Sequence, residues 1–231
     1  MSTITRLEER IRSVQEQLAL AARDAGRDPG SVTLIAVSKT FPREDVDAAY
    51  QLGIRHFGEN RVQEARAKFE SPLPSDATLH LIGHLQSNKA KQVPGLFHTV
   101  DSVDRLTIIE ALDRALERAG STLDVLLQVN IAGEAQKAGC APEEAATLMR
   151  AITTSRTLRP RGLMTIAPID AGSTVLRQVF RGLRELRDEL QERFPETDLS
   201  ELSMGMSNDF AEAIAEGATQ VRIGRAIFGD R

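Results

Sequence analysis

The sequence contains no tryptophan, a single tyrosine (Tyr50) and a single cysteine (Cys140). One cysteine excludes an intramolecular disulfide and argues against a Cys-based zinc site. Cys140 reads as a small buried or loop residue rather than a nucleophile. No apolar run approaches the ~20 residues needed to span a bilayer. The start, Met1–Arg6, leads directly into an amphipathic pattern and lacks the apolar core of a secretory signal. These absences point to a cytoplasmic protein with no membrane partner. The net charge is −4, with Lys and Arg scattered among Asp and Glu, so there is no electrostatic footprint for nucleic acid. The four histidines, at 56, 80, 84 and 98, lack the pairing of a metal-binding helix. No Gly-x-Ser-x-Gly or Walker pattern occurs, and Gly53 and Gly58 form no dinucleotide fingerprint.

What remains is an ordinary globular composition over 231 residues, 41% hydrophobic and 27% charged, enough for one substantial core. No linker or repeat divides it, so residues 1–231 are expected to form one domain. Leu7, Ile11, Val14, Leu18 and Ala21 share one helix face, and Thr5 with Glu8 has capping-box spacing. Short apolar runs then alternate with helical patterns. The predicted strands are Thr33–Ser38, Ile54–Phe57, Leu79–Ile82, Phe97–Val100, Leu123–Val129, Gly162–Ile166, Glu201–Met204 and Gln220–Ile223. Predicted helices include Asn88–Gln92, Val103–Ala119, Ser173–Arg193 and Asp209–Glu216. Eight strands separated by helices imply an α/β fold, a single (β/α)8 TIM barrel with an extra N-terminal helix. An open doubly wound sheet is the alternative.

In such a barrel the chemistry sits just after each strand. Lys39 ends the first, Leu34-Ile35-Ala36-Val37-Ser38-Lys39. A lysine there either snorkels to water or, once deprotonated, attacks an aldehyde to form a Schiff base. Gly58-Glu59-Asn60 follows the second strand, and Gly83-His84 the third. His56, His80 and His98 read as satisfied core histidines. Near the C-terminus, Ser207 precedes a helical run and Gly224-Arg225 follows the last strand. Loops at these two places commonly hold phosphate in barrels. The plainer reading of Ser207 is a helix N-cap, and of Gly224 a tight turn. Arg222 lies between Val221 and Ile223, on the opposite strand face from both. Facing out, it pairs with a helix carboxylate; facing in, it can hydrogen-bond a ring nitrogen.

Taken together, these segments resemble a known family: Leu34–Pro42, His56–Glu64, His80–Lys91, Arg161–Pro168, and Leu202–Phe210 with Val221–Gly229. The chain is similar, over nearly its whole length, to the pyridoxal phosphate homeostasis proteins. The resemblance implies a fold like the N-terminal barrel of alanine racemase. It implies pyridoxal 5′-phosphate bound as a Schiff base on Lys39. It implies phosphate contacts from Ser207 and the backbone at Gly224 and Arg225, Arg222 near the pyridine nitrogen, and Asn60 near the cofactor. Arg225 departs from the family, where a small hydroxyl residue is frequent, so its side-chain contact does not carry over. The implied function is control of the free cofactor level and of amino/keto acid balance, with PLP-dependent apo-enzymes as recipients and no established turnover. Racemase chemistry needs a second acid/base group, which alanine racemase takes from a separate β-domain and a partner subunit. The chain stops at Arg231 and its only tyrosine falls in a predicted helix, so a monomer without turnover is expected. A racemase-like enzyme and a cofactor-free Schiff-base aldolase are the alternatives.

Overall fold

The structure, a computed structural model, describes residues 3–134 and 136–229. Helix α1 (Thr3–Asp24) opens the chain. Leu7, Ile11, Val14, Leu18 and Ala22 bury its apolar stripe. Ala21, half-buried, packs against the same cluster beside the fully buried Ala22. The helix begins at Thr3, two residues before the Thr5 capping box the sequence suggests. Arg10 Nη1 donates to the Phe228 carbonyl at 3.2 Å, tying α1 to the far end of the chain.

The strands are β1 (Thr33–Val37), β2 (His56–Glu59), β3 (Thr78–Leu81), β4 (Thr99–Val103), β5 (Leu123–Gln128), β6 (Leu158–Met164), β7 (Glu201–Ser203) and β8 (Gln220–Ile223). They form a closed parallel barrel in sequence order, with β8 pairing back onto β1 in the register Ala36↔Ile223. The helices are α2 (Arg43–Gln51), α3 (Val62–Lys68), α4 (Leu106–Ala119), α5 (Ala145–Thr154), α6 (Ser173–Arg193), α7 (Phe210–Ala215) and α8 (Arg225–Phe228). The segment Asn88–Gln92, expected as a helix, lies in a short 3-10 helix, Ser87–Gln92.

Strand alternation sorts the side chains. Ala36, Phe57, Leu79, Leu81, Val100, Leu127, Leu163, Val221 and Ile223 join the apolar cluster beneath the helices. Their neighbours Ile35, His56, His80, Thr99, Asp101, Leu126, Ser203 and Arg222 therefore face the lumen. Barrel interiors are usually filled by branched aliphatics. Here much of the filling is polar, and buried polar residues on both faces of the sheet account for two strand boundaries that differ from expectation. Strands β2 and β4 do not stop at Phe57 and Val100. They continue through Glu59 and through Asp101 to Val103, because the polar residues find partners inside the fold. Strand β6 likewise starts at Leu158, not Gly162. It carries Pro160 at the register shift between Val125 and Leu126, where a missing N–H is tolerated.

Candidate functional site

Lys39 leaves the strand at the barrel mouth, two residues past Val37, in the turn that follows β1. It is exposed and has no hydrogen-bond or ion-pair partner among the described residues. Ser38 to Phe41 form a tight turn, closed by Phe41 N–H donating to the Ser38 carbonyl at 3.0 Å. Thr40 sits in that turn at φ 74°. A β-branched residue in the left-handed region is a true outlier, costing about 1–3 kcal/mol. Phe41 stacks on Phe228 of α8 with ring centroids 5.0 Å apart. The turn that carries Lys39 is thereby joined to the segment that follows β8.

Gly224 occupies the adjoining edge. A Cβ there would lie 3.4 Å from the Val37 carbonyl oxygen, so β8 delivers this backbone directly beside β1. The N–H of Gly224 has no partner among the described residues, and Arg225 behind it is exposed. Ser207 lies in the turn before α7. It is not a helix cap: α7 starts at Phe210 with Asp209 in the capping position. Asp209 Oδ1 accepts the Met206 N–H, while the Ser207 hydroxyl and the N–H groups of Ser207 and Asn208 have no partner among the described residues.

Arg222 points inward, which decides between the two orientations its sequence context allows. Its Nη1 donates to Ser203 Oγ and its Nη2 to the Thr165 carbonyl, each at 2.8 Å. Burial pulls its pKa below the ordinary value, and the negative charges of Asp101 and Asp209 oppose that pull. Asn60 is half-buried after β2, and its side chain has no partner among the described residues. Gly83 packs against it so closely that a Cβ would come within 2.2 Å of the Asn60 carbonyl oxygen. Only glycine permits this approach of the loops after β2 and β3.

Beneath the mouth runs a second polar chain. Asp101 Oδ1 accepts from Thr99 Oγ1 at 2.8 Å, and Asp101 Oδ2 lies 3.1 Å from His80 Nδ1. His80 Nε2 lies 3.0 Å from His56 Nδ1. In the neutral tautomer that carries its proton on Nδ1 toward Asp101, His80 presents Nε2 as an acceptor to His56 Nδ1–H. Burial and His80 push the His56 pKa down to about 4. His98 Nδ1 accepts the Leu79 N–H at 2.9 Å. His80 is thus a buried, satisfied core residue and His56 a half-buried one, whereas His98, expected in the core, is exposed, its ring holding the Leu79 N–H. His84 is exposed, near Asp104 and Arg105.

One group escapes the sequence reading. Lys68 of α3 sits among surface charges in the sequence, but its Nζ lies 2.6 Å from Glu59 Oε1 and 2.7 Å from the Ser38 carbonyl. The only available signal is the alternation in β2, which turns Glu59 outward toward α3.

A lone amine, an always-charged arginine and unpaired backbone donors at one barrel mouth define a class: a barrel equipped to hold an aldehyde bearing an anionic group. The comparisons agree with that class. The family described as alanine racemase, N-terminal domain, matches residues 11–231. A pyridoxal phosphate homeostasis protein of Pseudomonas aeruginosa is 45% identical over 231 residues, covering 100% of this chain and 97% of that one. PipY of Synechococcus elongatus, solved with PLP bound, superposes with a TM-score of 0.85 at 40% identity, covering 96% of this chain and 100% of that one. A crystal structure from Bifidobacterium adolescentis gives a TM-score of 0.92 at 37% identity, covering 98% and 96%. The chain belongs to the pyridoxal phosphate homeostasis protein family, built on the alanine racemase N-terminal barrel.

Proposed function

We infer that this protein binds pyridoxal 5′-phosphate at the C-terminal mouth of its barrel and serves the intracellular homeostasis of that cofactor. The reading is supported by the junction of β1 and β8, where the backbone of Gly224 lies against Val37, two residues before Lys39. The cofactor is held as a Schiff base on Lys39. When bound, it supplies an electrophilic carbon that can also pass to other amines. The residues present fit that group. Lys39 offers an amine with no competing partner. Ser207, Gly224 and the Arg225 backbone offer donors to the phosphate. Arg222 stays charged and keeps a facing ring nitrogen unprotonated. Asn60 borders the cofactor from the β2 side. The Arg225 side chain is free to add charge near the phosphate without the hydroxyl contact of a smaller residue.

The relatives are named as homeostasis proteins, and the role we assign is storage and delivery to PLP-dependent apo-enzymes rather than turnover. We take the working form to be a cytoplasmic monomer folded as one domain. The purified protein should absorb in the visible with added cofactor, and borohydride should fix the adduct on Lys39. Lys39→Ala should abolish it. An undiminished adduct in that variant refutes the assignment. Exchange of an amino acid's α-proton that depends on Lys39 would favour the racemase-like alternative.

A further inference from the structure

The turn that carries Lys39 is strained at Thr40 (φ 74°), and strained backbone persists only where its surroundings over-determine it. Those surroundings lie on the helix side of β1. The Ser38 carbonyl accepts from Phe41 N–H at 3.0 Å and from Lys68 Nζ at 2.7 Å. Glu59 Oε1 accepts from Lys68 Nζ at 2.6 Å and from Ser38 Oγ at 2.8 Å. The Glu59 side chain is 0% exposed and that of Lys68 9%. Glu59 Oε2 is buried with no hydrogen-bond partner among the described residues. A buried ion pair is weak evidence for fold stability, because desolvation offsets its attraction. An unsatisfied carboxylate oxygen makes it weaker still. The pair is instead aimed at one place, the residue immediately before Lys39.

We propose that Glu59 and Lys68 are positioning residues for Lys39. Their ion pair grips both the carbonyl and the hydroxyl of Ser38, holds the strained turn closed and keeps the Lys39 amine over the lumen. Ser38 and Glu59 have lumen-averse parity on their strands, so the pair acts through the turn and not by touching a ligand in the mouth. This rests on Lys39 being the cofactor amine, as argued above. Without the clamp the turn relaxes in a fraction of molecules, and loading rate and apparent affinity both fall with the competent fraction.

The test is the rate at which cofactor-free protein gains visible absorbance on mixing with pyridoxal 5′-phosphate, with borohydride and peptide mapping to locate the adduct. The double variant Glu59→Gln/Lys68→Met removes both charges together and leaves no lone ion buried. It should load about tenfold more slowly, the scale of one lost charge-assisted hydrogen bond. Adding Thr40→Gly removes the strain that the clamp opposes and should bring loading back to within about threefold of wild type. Wild-type loading in the double variant overturns the proposal. So does slow loading that Thr40→Gly fails to relieve, because general loosening of the barrel would give that result. If the double variant does not fold, Ser38→Ala deletes only the hydroxyl contact. Loading should then slow about threefold, and unchanged loading overturns the proposal equally. A wild-type protein with no adduct on Lys39 refutes the cofactor reading itself. An adduct on Lys39 that forms equally fast in every variant refutes the positioning role alone.

Discussion

His56 gives the sharpest test of the polar lumen. It is held neutral in the fold, with its pKa lowered from 6.5 to about 4 by burial first and by His80 second, against the pull of Asp101. In the unfolded chain it takes up a proton as the pH falls below 6.5, while the folded protein does so only near 4. The stability tied to this neutral ring is therefore complete above pH 6.5 and lost between 6.5 and 4. The full difference corresponds to about 3 kcal/mol. The ring keeps partial contact with water, which screens the effect, so about 1–2 kcal/mol is the expected loss. Urea unfolding at about pH 7.5 and about pH 5 measures it, most of the loss falling inside that interval. His56→Gln keeps a donor toward His80 Nε2 but cannot titrate, so its stability should fall less over the same interval. Equal pH dependence in the two proteins, or an NMR titration of His56 near its ordinary value, would refute the reasoning.

Two further outcomes follow from packing. Gly83→Ala drives a methyl to 2.2 Å from the Asn60 carbonyl oxygen and 2.7 Å from its Cα, both backbone atoms that cannot swing aside. It should cost about 1–3 kcal/mol in a thermal melt and weaken cofactor retention, and an unchanged melt would show that the loops after β2 and β3 are not locked together. Cys140 is buried, and its thiol is pushed up to about 12 by burial, then by Glu144 and Asp104. Iodoacetamide at about pH 8 should leave it unmodified until the protein is unfolded, and rapid labelling of the native protein would contradict that burial.

Much of the barrel is legible along the chain because alternation and strand–helix periodicity are local properties. Ser173–Arg193 is read to the residue, since its apolar stripe is long and Gly172 precedes it. Lys39, Ser207, Gly224 and Arg225 can be picked out because strand ends announce themselves by a change from apolar to polar. The errors share one cause. Glu59, Asp101 and Ser102 look like loop residues because they are polar, yet each is buried in or beside the sheet. Ser207 looks like a helix cap, yet α7 begins three residues later and the Ser207 hydroxyl has no partner among the described residues.

The sequence by itself determined the alternation of strands and helices, the positions where polar residues follow strands, and the placement of an arginine opposite its apolar neighbours on β8. These depend on neighbours within a few residues, and the backbone's fixed periods carry them. Only the tertiary structure decided that Arg222 turns inward, that His56, His80 and Asp101 form one chain, and that Lys68 reaches from α3 to the residue before Lys39. Barrel closure brings β8 back to β1 and sets charges from distant segments within about 3 Å of one another. Nothing local in the chain encodes which of several buried polar groups will satisfy which.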